Sequence, residues 1–397
     1  MLAIHGGTVL SPDKRIENAV ILVENGKIVD VGEGVAIPEG AERIDATGKV
    51  ITPGLIDAHC HTGIFANGVG SSESDGNEMT DPITPQLRSI DAIFPADPAF
   101  EGLRAAGVTT IGTGPGSANL VGGMTCAIKT RGRTIEEMLV EFPVGMKMAL
   151  GENPKRVYGA GQKKTPSTRM GNAAVLREWL TKAQLYVERK ALHAKKLADF
   201  QAGVEGANEP DPFETDLKLE ALGKVVSGEI QAHIHAHRAD DIMTAIRIAE
   251  EFGFPYILIH ATEGYKIADI LAEKQIACVP GPVLISALKY ELRDMTPENA
   301  GLLAKAGVKI AIQTDEMSAT RYLALNGALA VSQGLDEDVA FRAITLSAAE
   351  ILGIDDRVGS IEKGKDADLV IMTSHPFDIA HCHVERVLID GETVYER

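Results

Sequence analysis

The stretch Pro53-Gly54-Leu55-Ile56-Asp57-Ala58-His59-Cys60-His61 decides the reading of the fold. An apolar run ends in His-x-His, and residues two apart on a strand face the same way. Two imidazoles at the C-terminal end of a parallel barrel strand, where such barrels build their active sites, can chelate one metal ion. Cys60 then points away, into packing. A lone His-x-His is common by chance; this one gains weight from the carboxylates and imidazoles that end later apolar segments.

Upstream, the chain reads as short strands and turns. Thr8–Leu10, Ala19–Val23 and Ile28–Gly32 are β-rich, and Asn25-Gly26 between the last two is a hairpin signal. The other end has the same texture: Ala367–Met372, Val384–Ile389 and Thr393–Tyr395, with Asp390-Gly391 as a turn. One small β-sandwich domain assembled from both ends, 1–52 and 354–397, is expected.

Between them, buried strands alternate with amphipathic helices. Ile242, Ala245, Ile246 and Ala249 have helical spacing and precede the apolar run Tyr256–Ile259; Ile276–Val279 and Gly307–Ile312 follow as further strands. Repeated βα units imply a parallel sheet, and residues 53–353 suffice for a TIM-like (β/α)8 barrel. One stretch breaks the pattern. Residues 153–212 hold a Gly/Lys-rich loop, a long helix from about Ala173 to Gln201, and an acidic, Pro-containing linker. Residues 151–200 carry eleven Lys/Arg against four Asp/Glu. This segment is either a solvated helix or a wall whose Lys155, Arg156, Lys163, Lys164 and Arg169 hold an anionic substrate.

The 397 residues carry a net charge of −17, which disfavours nucleic acid or an anionic membrane as partner. With 45% hydrophobic residues a large core is available. Four Cys without a CxxC point to a reducing compartment, and no leader-like or membrane-spanning run is visible. A cytoplasmic protein is the expectation.

The Pro53–His61 segment, with the β-rich region before it and the closing Gly359-Ser360-Ile361-Glu362-Lys363-Gly364-Lys365-Asp366-Ala367-Asp368-Leu369-Val370, resembles the amidohydrolase superfamily of metal-dependent hydrolases, most closely its imidazolonepropionase-related group. The resemblance covers essentially the whole chain and implies metal ligands at barrel strand ends. It carries to His59 and His61 on strand 1, to His235 within Gln231–His237 on strand 5, to His260 on strand 6 and to Asp315 on strand 8. Glu152 sits where some members place a glutamate ligand. Others use a carboxylated lysine to bridge two metals; Lys147 lies early in its strand and on the opposite alternation, so Glu152 is favoured. His233 reads as core, and His237 as substrate contact or ligand. The bland alternatives are core histidines at His235 and His260, an N-cap at Asp315 and a structural ion pair at Glu152. His381-Cys382-His383 lies in the terminal β-region and reads as surface.

The resemblance implies one or two divalent ions, Zn²⁺ first, with Mn²⁺, Fe²⁺ or Ni²⁺ as substitutes. A bound ion lowers the pKa of its water to about 7. Asp315 would then move the proton to a leaving amine, and His237 or His260 would steady the developing oxyanion. Hydrolysis of an amide, cyclic amide or related C–N bond in a small molecule is the leading reading, with an anionic substrate and a homo-oligomer also expected. A heterocycle deaminase or a dipeptidase-like hydrolase would use the same site. A non-catalytic assembly protein on this fold is the remote alternative. Gly112–Ser117 is Gly-rich but lacks the phosphate-loop lysine, and reads as a βα loop beside the pocket. The long loop from Thr62 to about Asp97 is expected to set substrate choice.

Overall fold

The computed structural model describes residues 1–65, 74–284 and 287–397, so residues 66–73 of the long loop after His61 lie outside it. The chain opens with β1 (Leu2–Ser11), β2 (Lys14–Glu24), β3 (Lys27–Glu33), β4 (Glu42–Asp45) and β5 (Val50–Pro53). The central strands are β6 (Leu55–Cys60), β7 (Val108–Thr113), β8 (Val121–Lys129), β9 (Leu139–Ala149), β10 (Ala232–Ala236), β11 (Tyr256–His260) and β12 (Cys278–Pro280). The last three are β13 (Leu369–Met372), β14 (Val384–Ile389) and β15 (Glu392–Glu396).

Both ends build one eight-stranded sheet in the order β15-β14-β13-β5-β1-β2-β3, with β4 beside β1. The seam is β5 against β13, antiparallel, with Ile51 opposite Ile371. Two tight turns make the expected hairpins. Asn25 and Gly26 have φ of 50° and 77°, and Asp390 and Gly391 have 51° and 73°, the left-handed pair that a two-residue hairpin loop needs.

The central sheet runs β12-β11-β10-β9-β8-β7-β6. Most neighbours are parallel, but β8 is antiparallel to both β7 and β9. Gly114–Leu120 therefore turns the chain straight back into a strand, where the sequence pattern suggested a helix would follow. The ring nearly closes. Residues 309–316, expected as a strand, make only one isolated bridge, Cys278 to Ile310. Their backbone nevertheless bonds to both flanks: Cys278 N–H donates to Lys309 O, Asp315 N–H to His59 O and His61 N–H to Glu316 O.

The predicted helix spans Ala239–Phe252, buries Ile242, Ala245, Ile246 and Ala249, and stops at Gly253 with φ 73°. These residues share one apolar cluster with Leu55, Ile111, Ile234 and Leu258. The long helix runs from Arg169 to Gln201, with Leu176, Leu180, Ala183 and Tyr186 buried along its first half. Among the described residues no helix is long and apolar enough to cross a membrane.

The two sheets are tied by a charged knot between the end of β8 and the turns flanking β13 and β14. Lys129, at the end of β8 and only 4% exposed, lies 2.7 Å from Asp366, 3.0 Å from Asp368 and against Asp390. Lys27 and Arg357 close on Asp366 as well.

Candidate metal centre and active site

Strand ends deliver two groups of three donors. His235, His237 and His260 form one, and His59, His61 and Asp315 the other; within each group one ligand atom per residue lies within 4.8 Å of the rest. The groups are adjacent. Asp315 Oδ1 stands 3.5 Å from His59 Nε2, 3.3 Å from His61 Nε2 and 3.9 Å from His260 Nε2. The ring of His237 stacks on that of His260 with centroids 4.4 Å apart.

Backbone conformation aims these side chains. His260, Ala261 and Asp315 have φ of 69°, 42° and 54°. Left-handed backbone at non-glycine residues costs energy, and three cases at one site mark a constraint imposed by the surroundings.

The imidazoles are held in defined roles by outer partners. His61 Nδ1 donates to Gly114 O at 2.8 Å and His260 Nδ1 donates to Gly281 O at 2.8 Å, which leaves Nε2 of each ring as the donor atom for an ion. His237 Nδ1 meets Thr262 Oγ1 at 2.7 Å. Below, Asp57 accepts from His59 N–H at 3.0 Å and from the Thr314 hydroxyl at 2.7 Å.

Burial sets the protonation states. It holds His59, His235 and His237 well below the ordinary imidazole range, and moves His260 down to about 4, so all four are neutral donors at pH 7. Burial pushes Asp57 up to about 7. It also works against ionisation of Asp315, but electrostatic attraction to the His260 and His61 rings and hydrogen bonds from His59 and His61 hold that carboxyl well below its usual range.

This donor set fits divalent cations. Both nitrogens of His235, and Nε2 of His237 and of His260, are buried without hydrogen-bond partners. Buried polar atoms are rarely left unpaired, and neutral imidazoles beside one carboxylate are the ligands zinc-like ions take.

Of the residues singled out in the sequence, the structure brings together His59, His61, His235, His237, His260 and Asp315. It does not bring Glu152. Gly151, at φ 89°, turns the chain off β9, and Glu152 opens the short helix Glu152–Lys155, in neither donor group. Lys147 stands there instead, fully buried with Nζ 2.7 Å from His59 Nε2. It pairs in register with His233, two residues below His235. A strand rises about 3.3 Å per residue, and a lysine side chain is long enough to make up that depth. Its isolation in the apolar run Phe142–Leu150 was the signal to follow. The decoy pair His381 and His383 is exposed, away from both groups.

A cavity of about 430 Å³ opens over the site, lined by His235, His237, His260 and Asp315 on one side. Pro280, Val283, Leu292, Met295 and Pro297 give it apolar walls. Lys163 and Lys164 do not line it and are exposed, while Arg169 Nε donates to both carboxylate oxygens of Asp241, at 2.9 and 3.0 Å.

The amidohydrolase family model matches residues 50–394, and the chain belongs to that family, hydrolases acting on carbon–nitrogen bonds. It is 47% identical to an amidohydrolase from Thermotoga maritima MSB8 of known crystal structure, with a TM-score of 0.93 and full coverage of both chains. It is 31% identical over 396 residues to "Amidohydrolase tasK" of Hapsidospora irregularis, spanning 95% of this chain but 40% of that protein. Imidazolonepropionase of Brucella anthropi is 26% identical over 379 residues, 90% of this chain and 87% of the relative.

Proposed function

We propose that the chain is a zinc-dependent amidohydrolase that cleaves an amide, cyclic amide or related C–N bond of a small molecule. The observation that carries this reading is a buried group of three histidines beside a partly buried group of two histidines and Asp315, with Asp315 facing both and lining the same cavity as the first. When bound, the ions supply Lewis-acid chemistry and an activated water at neutral pH.

In this reading His59, His61 and Asp315 would hold one ion and His235 and His260 a second, with Lys147 beside His59. Burial brings the Lys147 amine down to about 8. A free amine fraction near neutrality is what uptake of CO₂ requires, and the resulting carbamate, formed with release of one proton from the amine, would supply an anionic oxygen ligand beside His59. Asp315 accepts the proton of the attacking water and returns it to the leaving nitrogen. His237, fixed through Thr262 and stacked on His260, faces the carbonyl oxygen as charge develops there.

The same reading takes the central sheet with residues 309–316 as a (β/α)8-type barrel over 53–353, the terminal sheet as a composite β domain of 1–52 and 354–397, and 153–212 as an insertion. Four free cysteines agree with a cytoplasmic setting, and a homo-oligomer remains part of the proposal.

The test is turnover by zinc-loaded protein on N-acyl amino acids, dipeptides, hydantoins and aminoheterocycles, with metal content measured in parallel. Hydrolysis of an acyclic or cyclic amide is expected. Ammonia release from aminoheterocycles alone would replace the proposal with a deaminase.

A further inference from the structure

The cavity wall carries, besides the histidines, a charged group for which neither the metal centre nor the proton transfers have a use. Lys289 is the one lysine or arginine lining the cavity among the described residues. Its ammonium donates to Asn153 Oδ1 at 3.2 Å, and Asn153 Nδ2 in turn donates to Ser117 Oγ at 2.8 Å; both partners line the same cavity.

The counter-ion is built into the wall. Lys289 Nζ lies 2.7 Å from Oε1 of Glu291, whose side chain is fully buried. That contact lacks hydrogen-bonding geometry, so Oε1 makes no directed bond. The pair is therefore electrostatic, and the ammonium keeps N–H groups for another acceptor. Glu291 is itself fixed: its Oε2 accepts the Glu152 N–H at 2.9 Å and lies 3.9 Å from Arg169, which is committed to Asp241. A buried carboxylate held this firmly fixes the position of the Lys289 ammonium at the edge of an apolar cavity.

We propose that Lys289, with Asn153 and Ser117, is the subsite that takes a carboxylate of the substrate, so that the enzyme acts on small N-acyl or cyclic amides carrying an acid group and an apolar body. The inference rests on the amidohydrolase reading of the same cavity and names its substrate class. Val283, Leu292, Met295 and Pro297 receive the apolar body. Glu291 Oε1, 2.7 Å from Lys289 Nζ, also lies 3.7 Å from His237 Nε2, which places the subsite within a small molecule's length of the metal centre. The net charge of −17 thus repels anions at long range, screened beyond about 8 Å in physiological salt, while the cavity accepts one.

The experiment is calorimetric binding of 4-methylpentanoate and 4-methylpentanamide to the zinc-loaded protein. It needs no turnover, so a failure of the hydrolysis panel and a failure here are separate results. Any contact between the carboxylate and the ions is common to all variants, so the difference between variants reports the subsite. The wild type is expected to prefer the acid over the amide by about 10-fold or more. The double variant Lys289→Met with Glu291→Gln removes the pair without stranding a buried charge. It is expected to lose that preference while amide affinity stays within about twofold, and Lys289→Arg is expected to keep it. Equal loss of both probes, no loss of either, or no acid preference in the wild type, weak binding of both included, overturns the proposal.

Discussion

Lys147 Nζ lies 2.7 Å from His59 Nε2, a fully buried amine against the atom that the metal centre needs from that imidazole. Two potential proton donors face each other only if one of them is altered or unprotonated. Lys147→Met is expected to lower bound metal and to cut turnover by about 10²-fold or more, as loss of a metal-organising group does. Elemental analysis and rate measurement on the same preparation check this. Exhaustive removal of bicarbonate from the wild type should lower both in the same direction; unchanged values would remove the ligand role.

Asp315 is the group placed to move a proton. Asp315→Asn keeps an oxygen at the site but no basic carboxylate, and kcat is expected to fall by more than about 10²-fold with metal still bound. Normal turnover at full metal occupancy contradicts the assignment.

Acidification should destabilise the metal-depleted protein. In the unfolded chain histidine protonates near pH 6.5, whereas burial keeps His59, His235 and His237 well below that, His260 down to about 4 and His233 down to about 3. Between these limits the unfolded state binds more protons, so stability falls as pH falls. Burial raises Asp57 to about 7, Asp368 to about 6, and Asp241 as well; these act oppositely, since their folded forms bind a proton first. Five histidines against three carboxyls give a net loss from pH 6.5 downward. Urea midpoints measured from pH 7 to pH 4.5 should decline; a flat or rising series refutes this balance.

Lys129 neutralises Asp366 and Asp368 from inside the junction of the two sheets. Lys129→Met strands the buried Asp368, while Lys27 and Arg357 still face Asp366, and is expected to cost about 3 kcal/mol of unfolding free energy. Chemical denaturation reads it directly.

Much of this was legible in the sequence because the signals are local. Asn25-Gly26 and Asp390-Gly391 dictate left-handed turns, and His59, His61, His235 and His260 close apolar strands. What was not legible depends on distance across the fold. Nothing in Gly114–Leu120 tells that β8 returns antiparallel, since strand direction follows from pairing rather than from composition. Glu152 looked like the strand-end carboxylate until Gly151 turned it away, and Lys147 looked too deep because strand position understates a long side chain's reach. Lys289 sits in a segment without periodicity, and only its contacts with Asn153 and Glu291 distinguish it from any surface lysine.

The seam between β5 and β13 has a temporal consequence. Ribosomes deliver β1 to β5 early, but Ile51 finds its partner Ile371 only after more than three hundred further residues have emerged. Until then the nascent chain carries an unpaired apolar edge beside the segment that becomes the catalytic strand β6. Such edges are where growing chains associate wrongly. Synthesis therefore holds open, across the whole stretch between β5 and β13, the sheet edge that β13 must close.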